Sequence, residues 1–156
     1  MLYISTIMSN CKSLSPSLED YLEAILILET RHRVARVRDI AAHLDVQMPS
    51  VTGAVKNLRE KGLVNYEKNS FISLTDEGKA AAEEIFNKHS VMVEFLETVL
   101  LIPHEKAVDQ ACNIEHVIDT ETAGRVRNCT EYIRELLENG KTITTSQWAE
   151  QIGKGL

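Results

Sequence analysis

No apolar run in the chain approaches the roughly 20 residues that a bilayer-spanning helix requires, and no basic stretch followed by a long apolar run marks a secretory leader. The three cysteines, Cys11, Cys112 and Cys129, are an odd number with no Cys-x-x-Cys pair. These absences predict a cytoplasmic protein with no membrane partner and with reduced thiols that are available as ligands. Positive charge is also scarce. Lys plus Arg total 17 against 23 Asp plus Glu, a net charge of −6, which argues against a generic polyanion binder. There is no internal repeat and no low-complexity tract.

What is present is an ordinary globular composition. Apolar residues make up 44% and charged residues 26% of 156 positions, enough for a buried core and for one domain with an appendage or two small ones. The charge is unevenly placed. Arg33 to Lys79 holds eight Lys/Arg against six Asp/Glu, so this segment is +2 and the remainder −8. Such asymmetry points to a nucleic-acid-facing module on an acidic body.

Ser15-Pro16-Ser17-Leu18-Glu19 reads as a helix start, with Ser15 as cap and Pro16 at the first helical position. Leu18, Tyr21, Leu22, Ile25, Leu26 and Leu28 follow helical spacing and predict a first helix to about Glu29. Val37 to Leu44 predicts a short second helix. Asp45 to Ser50 interrupts it, because Pro49 donates no amide and disfavours helix at Met48. A third helix then buries Val51, Ala54, Val55 and Leu58 and stops at Gly62. Leu63 to Glu67 and Phe71 to Leu74 flank a polar turn and read as a hairpin. Further helices are predicted over Lys79 to about Leu101, Glu105 to Ile118 and Thr122 to Leu137, followed by a polar tail anchored at Trp148. The fold class is therefore mainly α: an N-terminal winged helix-turn-helix domain with a small β-hairpin wing, then a second, α-helical domain. The expected division is 1–78, 79–140 and a tail at 141–156.

Helix, tight break, amphipathic helix and hairpin is the order of a winged helix-turn-helix. Gln47, Ser50, Thr52 and Gly53 stand at the start of its recognition helix beside Pro49, and are small or amide-bearing groups suited to base edges. Arg36, Arg38, Lys56, Arg59, Lys61 and Lys68 surround them as candidate phosphate contacts. A solvated basic face on a small helical bundle is the bland alternative, and the hairpin directly after Gly62 tells against it.

Candidate metal ligands lie outside that module's DNA-facing positions. Asp20 and Glu23 are three apart on the first helix and share a face. Cys112, Glu115 and His116 fall at i, i+3 and i+4 of a later helix, which places thiol, carboxylate and imidazole on one stripe, and His89 lies inside the long helix between these groups. Carboxylates favour Fe(II) and Mn(II), and a thiolate moves the preference toward Fe, Co, Ni and Zn. Taken singly, each residue reads more simply as core filling or a solvated face. Their combination on a DNA-binding chain carries the reading. His32, His43 and His104 have no such company.

These residues resemble the metal-dependent repressors of the diphtheria toxin repressor and manganese transport regulator type. The resemblance runs from about Leu14 to Tyr132. It rests on Glu19-Asp20-Tyr21-Leu22-Glu23, on Asp39-Ile40-Ala41 with Pro49-Ser50-Val51-Thr52, on Lys88-His89, and on Ala111-Cys112-Asn113-Ile114-Glu115-His116-Val117. It implies a homodimer on a palindromic double-stranded DNA operator, with Fe(II) or Mn(II) as effector (Co, Ni or Zn substituting) and repression of metal-uptake genes when the metal is abundant. Carried over by position, Asp20, Cys112, Glu115 and His116 match a metal-site pattern, and Glu23 and His89 match ligands of the manganese-type members. The chain mixes two branches: Cys112 looks like the iron branch, whereas Asp20 and Glu23 look like the manganese branch. Val93 and Val108 stand where iron-type members carry Glu and His of an ancillary site. The expected form is a short one, without an SH3-like domain. A winged-helix regulator not gated by metal and a metalloenzyme are the competing readings, the latter without a separate base or nucleophile motif to support it.

Overall fold

The computed structural model describes residues 14–67 and 70–138, together with Thr144, Ser146 and Gln147. The expected anchor at Trp148 lies outside the described residues. The chain divides into two compact units, residues 1–86 and 87–156, and the boundary falls within one long helix.

The first unit opens with α1, Pro16–His32. Ser15 caps it as the sequence predicts: its Oγ accepts from the Leu18 amide at 3.4 Å, with Pro16 in the first turn. Tyr21, Leu22, Ala24, Ile25 and Leu28 are its buried stripe. The helix runs three residues past the expected Glu29, because a formed helix propagates through polar Thr30 and Arg31 at little cost. It ends at Arg33, which takes a left-handed conformation (φ 64°) and donates its amide to the Glu29 carbonyl.

Helix α2, Val37–His43, and helix α3, Met48–Glu60, form the helix-turn-helix. Met48 rather than Pro49 opens α3, so proline sits inside the first turn, where its missing amide costs nothing. Val51, Val55 and Leu58 turn into the core, and Ala54 is half-buried. Gly62 adopts φ 75° as the chain leaves α3. Strands β1, Val64–Tyr66, and β2, Ile72–Leu74, pair antiparallel with Asn65 opposite Ser73. Ala35 bridges to Ile72, whose amide donates to the Ala35 carbonyl at 2.9 Å. Leu22, Ile25, Ile40, Val51, Val55, Leu58 and Ile72 are the fully buried centre of this unit.

Thr75 joins the wing to the next helix, α4, Asp76–Thr98. Its hydroxyl donates to the Gly62 carbonyl (2.7 Å) and accepts from the Gly78 amide (3.0 Å). Ala81, Ala82 and Ile85 of α4 complete the first unit's core.

In the second unit α4 ends at Thr98, short of the expected Leu101. The apolar run Val99 to Ile102 suits a helix by pattern, but Pro103 disfavours helix at the residue before it. Leu101 instead turns left-handed (φ 54°), and the Ile102 amide closes back on the Leu96 carbonyl at 2.9 Å. Helix α5 covers His104–Ile114 and helix α6 covers Thr120–Glu138. Met92, Leu96, Ala107 and Ala111 form this unit's core, with Ile114, Ile118 and Val126 packed against it. Arg127 donates to Asn87 Oδ1 at 2.6 Å and Arg134 to Glu94 Oε1, which brace α6 on α4. Among the described residues no helix is long and apolar enough to cross a membrane.

Candidate functional site

The predicted stripe Cys112, Glu115, His116 does not lie on one helix. Helix α5 stops at Ile114, four residues before the expected end. Asp119 is the cause: its carboxylate accepts the Thr122 amide at 2.7 Å and starts α6, leaving only a tight turn between the helices. Glu115 keeps a right-handed helical backbone (φ −57°, ψ −31°), so its side chain continues the face that Cys112 begins.

Within the second unit three of the predicted ligands, His89, Cys112 and His116, gather around Glu115. His89, on α4, places Nδ1 2.6 Å from Glu115 Oε2. Cys112 Sγ lies 3.8 Å from the same His89 nitrogen. On the other side His116 Nε2 is 3.8 Å from Glu115 Oε1. The Glu115 side chain is only 1% exposed, and Oε1 accepts no hydrogen bond among the described residues. A buried carboxylate oxygen without a donor is costly, by about 1–3 kcal/mol or more for a charged group. A divalent cation relieves that cost. Nitrogen, sulphur and oxygen donors at this spacing therefore fit a divalent first-row ion.

Asp20 and Glu23 belong to the first unit. They sit three apart on α1, both half-buried, on one face of the helix.

The predicted DNA-facing residues are also in the first unit. Arg36, Arg38, Gln47, Pro49, Ser50, Gly53, Lys56 and Arg59 are exposed. Thr52 is half-buried, and its hydroxyl donates to the Met48 carbonyl at 3.1 Å, so it faces any ligand as an acceptor only. Lys68 lies outside the described residues. Two exposed apolar residues share this surface and were not anticipated: Met48, 55% exposed, and Phe71, 51% exposed. Strand alternation holds the signal for the second. With Ile72 turned inward, Phe71 must point out.

Two family descriptions match the chain in tandem. Residues 13–71 match "Iron dependent repressor, N-terminal DNA binding domain", and residues 75–144 match "Iron dependent repressor, metal binding and dimerisation domain". The chain is similar to an uncharacterized HTH-type transcriptional regulator of Methanocaldococcus jannaschii, 32% identical over 123 residues, which span 78% of this chain and 98% of the relative. It is 34% identical over 121 residues to the HTH-type transcriptional regulator MntR of Oceanobacillus iheyensis, covering 78% of this chain and 82% of that one. The solved structure of the manganese regulator SloR superposes with a TM-score of 0.67 at 28% identity over 76% of this chain. The match spans 55% of the SloR chain, so the chain corresponds to about half of that longer protein. A DNA-binding domain thus precedes a metal-binding and dimerisation domain along this chain.

Proposed function

The chain belongs to the iron dependent repressor family of metal-dependent, DNA-binding transcriptional repressors, and on that premise we propose which residues hold the metal and which hold the DNA. In this reading His89, Cys112, Glu115 and His116 are ligands supplied by the second unit, and Asp20 and Glu23 are ligands supplied by α1. Fe(II) or Mn(II) is the effector, and Co, Ni or Zn can take its place. The observation that carries the reading is the Glu115 carboxylate, buried between two histidine nitrogens with a thiol adjacent.

A bound divalent ion supplies the positive charge that the Glu115 carboxylate faces and a restraint on the elements that bear its ligands. Glu115 accepts at Oε2 from His89, which orients that ring. His116 flanks the other oxygen, and Cys112 adds a soft donor. On the DNA side Gln47, Pro49, Ser50 and Thr52 present the start of α3 to base edges. Arg36, Arg38, Lys56, Arg59 and Lys68 hold phosphates. In a homodimer two such helices meet half-sites of a palindromic operator about 34–36 Å apart. The division adopted is 1–78 for DNA, with α1 also supplying ligands, 79–140 for metal and dimerisation, and 141–156 as a tail. The protein acts in the cytoplasm, represses metal-uptake genes and carries out no catalytic step.

Metal and DNA binding strengthen each other by one factor, typically ~1–3 kcal/mol. The test is an anaerobic titration of reduced protein with Fe(II) and, separately, Mn(II), following binding to promoter-region DNA at fixed salt. A tenfold or greater rise in specific affinity, about 1.4 kcal/mol, is expected. Equal affinity with both ions and with chelator overturns the metal gate.

A further inference from the structure

Phe71 stands 51% exposed on the wing, outside the buried core. The Arg36 guanidinium lies over its ring, 4.9 Å from the centroid. The backbone holds both ends of this contact. Arg36 caps α2, its carbonyl accepting from the Asp39 and Ile40 amides at 3.0 Å each. Its neighbour Ala35 is bridged to Ile72, the residue after Phe71. The pair borders an open groove of about 600 Å³ between the start of α3 and the wing, which Arg38, Met48, Thr52 and Tyr66 also line.

The two groove arginines are held differently. Arg38 commits its Nε to Asp39 Oδ1 at 3.1 Å, so part of its charge and one donor are already used. Among the described residues no carboxylate pairs with Arg36. An aromatic face restrains a guanidinium without neutralising it and leaves the in-plane N–H donors free, whereas a carboxylate consumes both charge and donors. An arginine held this way is prepared for an anion approaching edge-on.

We propose that Phe71 is a positioning residue for DNA binding: its ring holds the Arg36 guanidinium ready for a backbone phosphate where the wing meets the start of α3. The proposal rests on the DNA-binding reading above and adds to it a residue that makes the phosphate contact through another.

The test measures affinity of the 156-residue chain for a mixed-sequence DNA duplex, with Mn(II) present, across a series of salt concentrations. Each phosphate contact contributes about 0.9 to the slope of log affinity against log salt. Arg36→Ala is expected to lower the slope by about that amount, which corresponds to an affinity penalty about threefold smaller at 200 mM than at 50 mM salt. Phe71→Ala is expected to lower the slope in the same direction, and Phe71→Tyr, which keeps the ring face, to retain it. The double variant Arg36→Ala/Phe71→Ala should lose little beyond Arg36→Ala alone. Thermal melts of each variant show whether it folds, and Phe71→Leu keeps apolar bulk without a π-face. A Phe71→Ala or Phe71→Leu protein with the wild-type slope overturns the proposal, as do losses that simply add in the double variant. Wild-type protein that binds no DNA overturns the underlying reading, an outcome distinct from either.

Discussion

His89 Nδ1, midway along α4, and Glu115 Oε2, at the C-terminal end of α5, meet at 2.6 Å within the second unit, twenty-six residues apart in sequence. The contact satisfies one oxygen of a carboxylate that is otherwise enclosed, and leaves Oε1 without a hydrogen bond among the described residues, with His116 Nε2 at 3.8 Å. Folding tolerates this incomplete arrangement at a cost in stability. A cation-binding centre needs such an arrangement, because ligands already satisfied by protein donors would have to be pulled apart before an ion entered.

Glu115→Gln keeps the shape of the side chain and removes its charge. A bound ion is expected to stabilise the wild-type protein by about 2.7 kcal/mol when free ion is a hundredfold above Kd, and so to raise its melting temperature. That shift is expected to vanish in Glu115→Gln, together with metal-stimulated DNA binding, while the metal-free variant is at least as stable as wild type and remains dimeric. Thermal melts with and without Mn(II), with sedimentation for the dimer, check this. A variant that keeps the metal-induced shift removes Glu115 from the ligand set.

If Cys112 is a ligand, as proposed, its thiolate is expected to set which ion is preferred. Its sulphur lies 3.8 Å from His89 Nδ1 and the residue is exposed. Co(II) bound to the wild-type protein should show thiolate-to-cobalt charge-transfer absorption, and Cys112→Ser should lose it. Replacing the thiol by Cys112→Glu should lower affinity for Zn(II) and Co(II) relative to Mn(II), since carboxylate is the harder donor. Competition titrations read the order. An unchanged order, with no cobalt–thiolate band in the wild type, makes Cys112 a bystander.

The DNA-binding half was legible because each element carries its own punctuation. Ser15-Pro16 begins α1, Pro49 marks the first turn of α3, and Gly62 at φ 75° releases the chain into the wing. The second unit was less legible. Spacing at 112, 115 and 116 fits a continuous helix and a helix followed by a right-handed cap equally well, since both keep the side chains on one face. The Asp119 cap on the Thr122 amide, a local contact three residues long that the helical spacing does not reveal, starts α6 and so ends α5 early. The apolar Val99 to Ile102 likewise matched a helical pattern, and Pro103 with a left-handed Leu101 overrode it. The ligand types were readable from sequence. The pairing of one Glu115 oxygen with His89 and the solitude of the other were not, because they depend on how α5 packs on α4.

Gly78 is fixed by close approach. A Cβ there would stand 1.8 Å from the Leu63 carbonyl oxygen, and that atom is backbone and already accepts from the Thr75 amide at 3.0 Å. Gly78→Ala must displace either α4 or the wing, at a cost of at least the ~1–3 kcal/mol of ordinary overpacking. Gly124, in α6, is the internal contrast: its Cβ would meet nothing within 4 Å. Gly124→Ala is expected to stabilise by about 0.5–1 kcal/mol. Denaturant melts of the two variants should therefore move in opposite directions, and equal shifts would refute the argument.

Glu29 gives the first unit a pH-dependent contribution to stability. Burial pushes its carboxyl above the ordinary 4.5, against the opposing pull of the Leu74 amide, which donates to Oε1 at 3.3 Å, and of the Lys79 charge. The folded state therefore holds this proton more tightly than the unfolded chain does. The stability it contributes is fully present below pH 4.5 and is lost as pH rises through the higher folded value. Glu29→Gln removes the titration and keeps an oxygen that can accept from Leu74. Relative to wild type, the variant should gain stability between about pH 4 and pH 7, since only the wild-type protein acquires a half-buried charge over that interval. Melts of both proteins across the interval isolate the effect, because other titrations cancel in the difference. A difference that stays flat or shrinks toward neutral pH would mean that Lys79 and the Leu74 amide, rather than desolvation, govern this carboxylate.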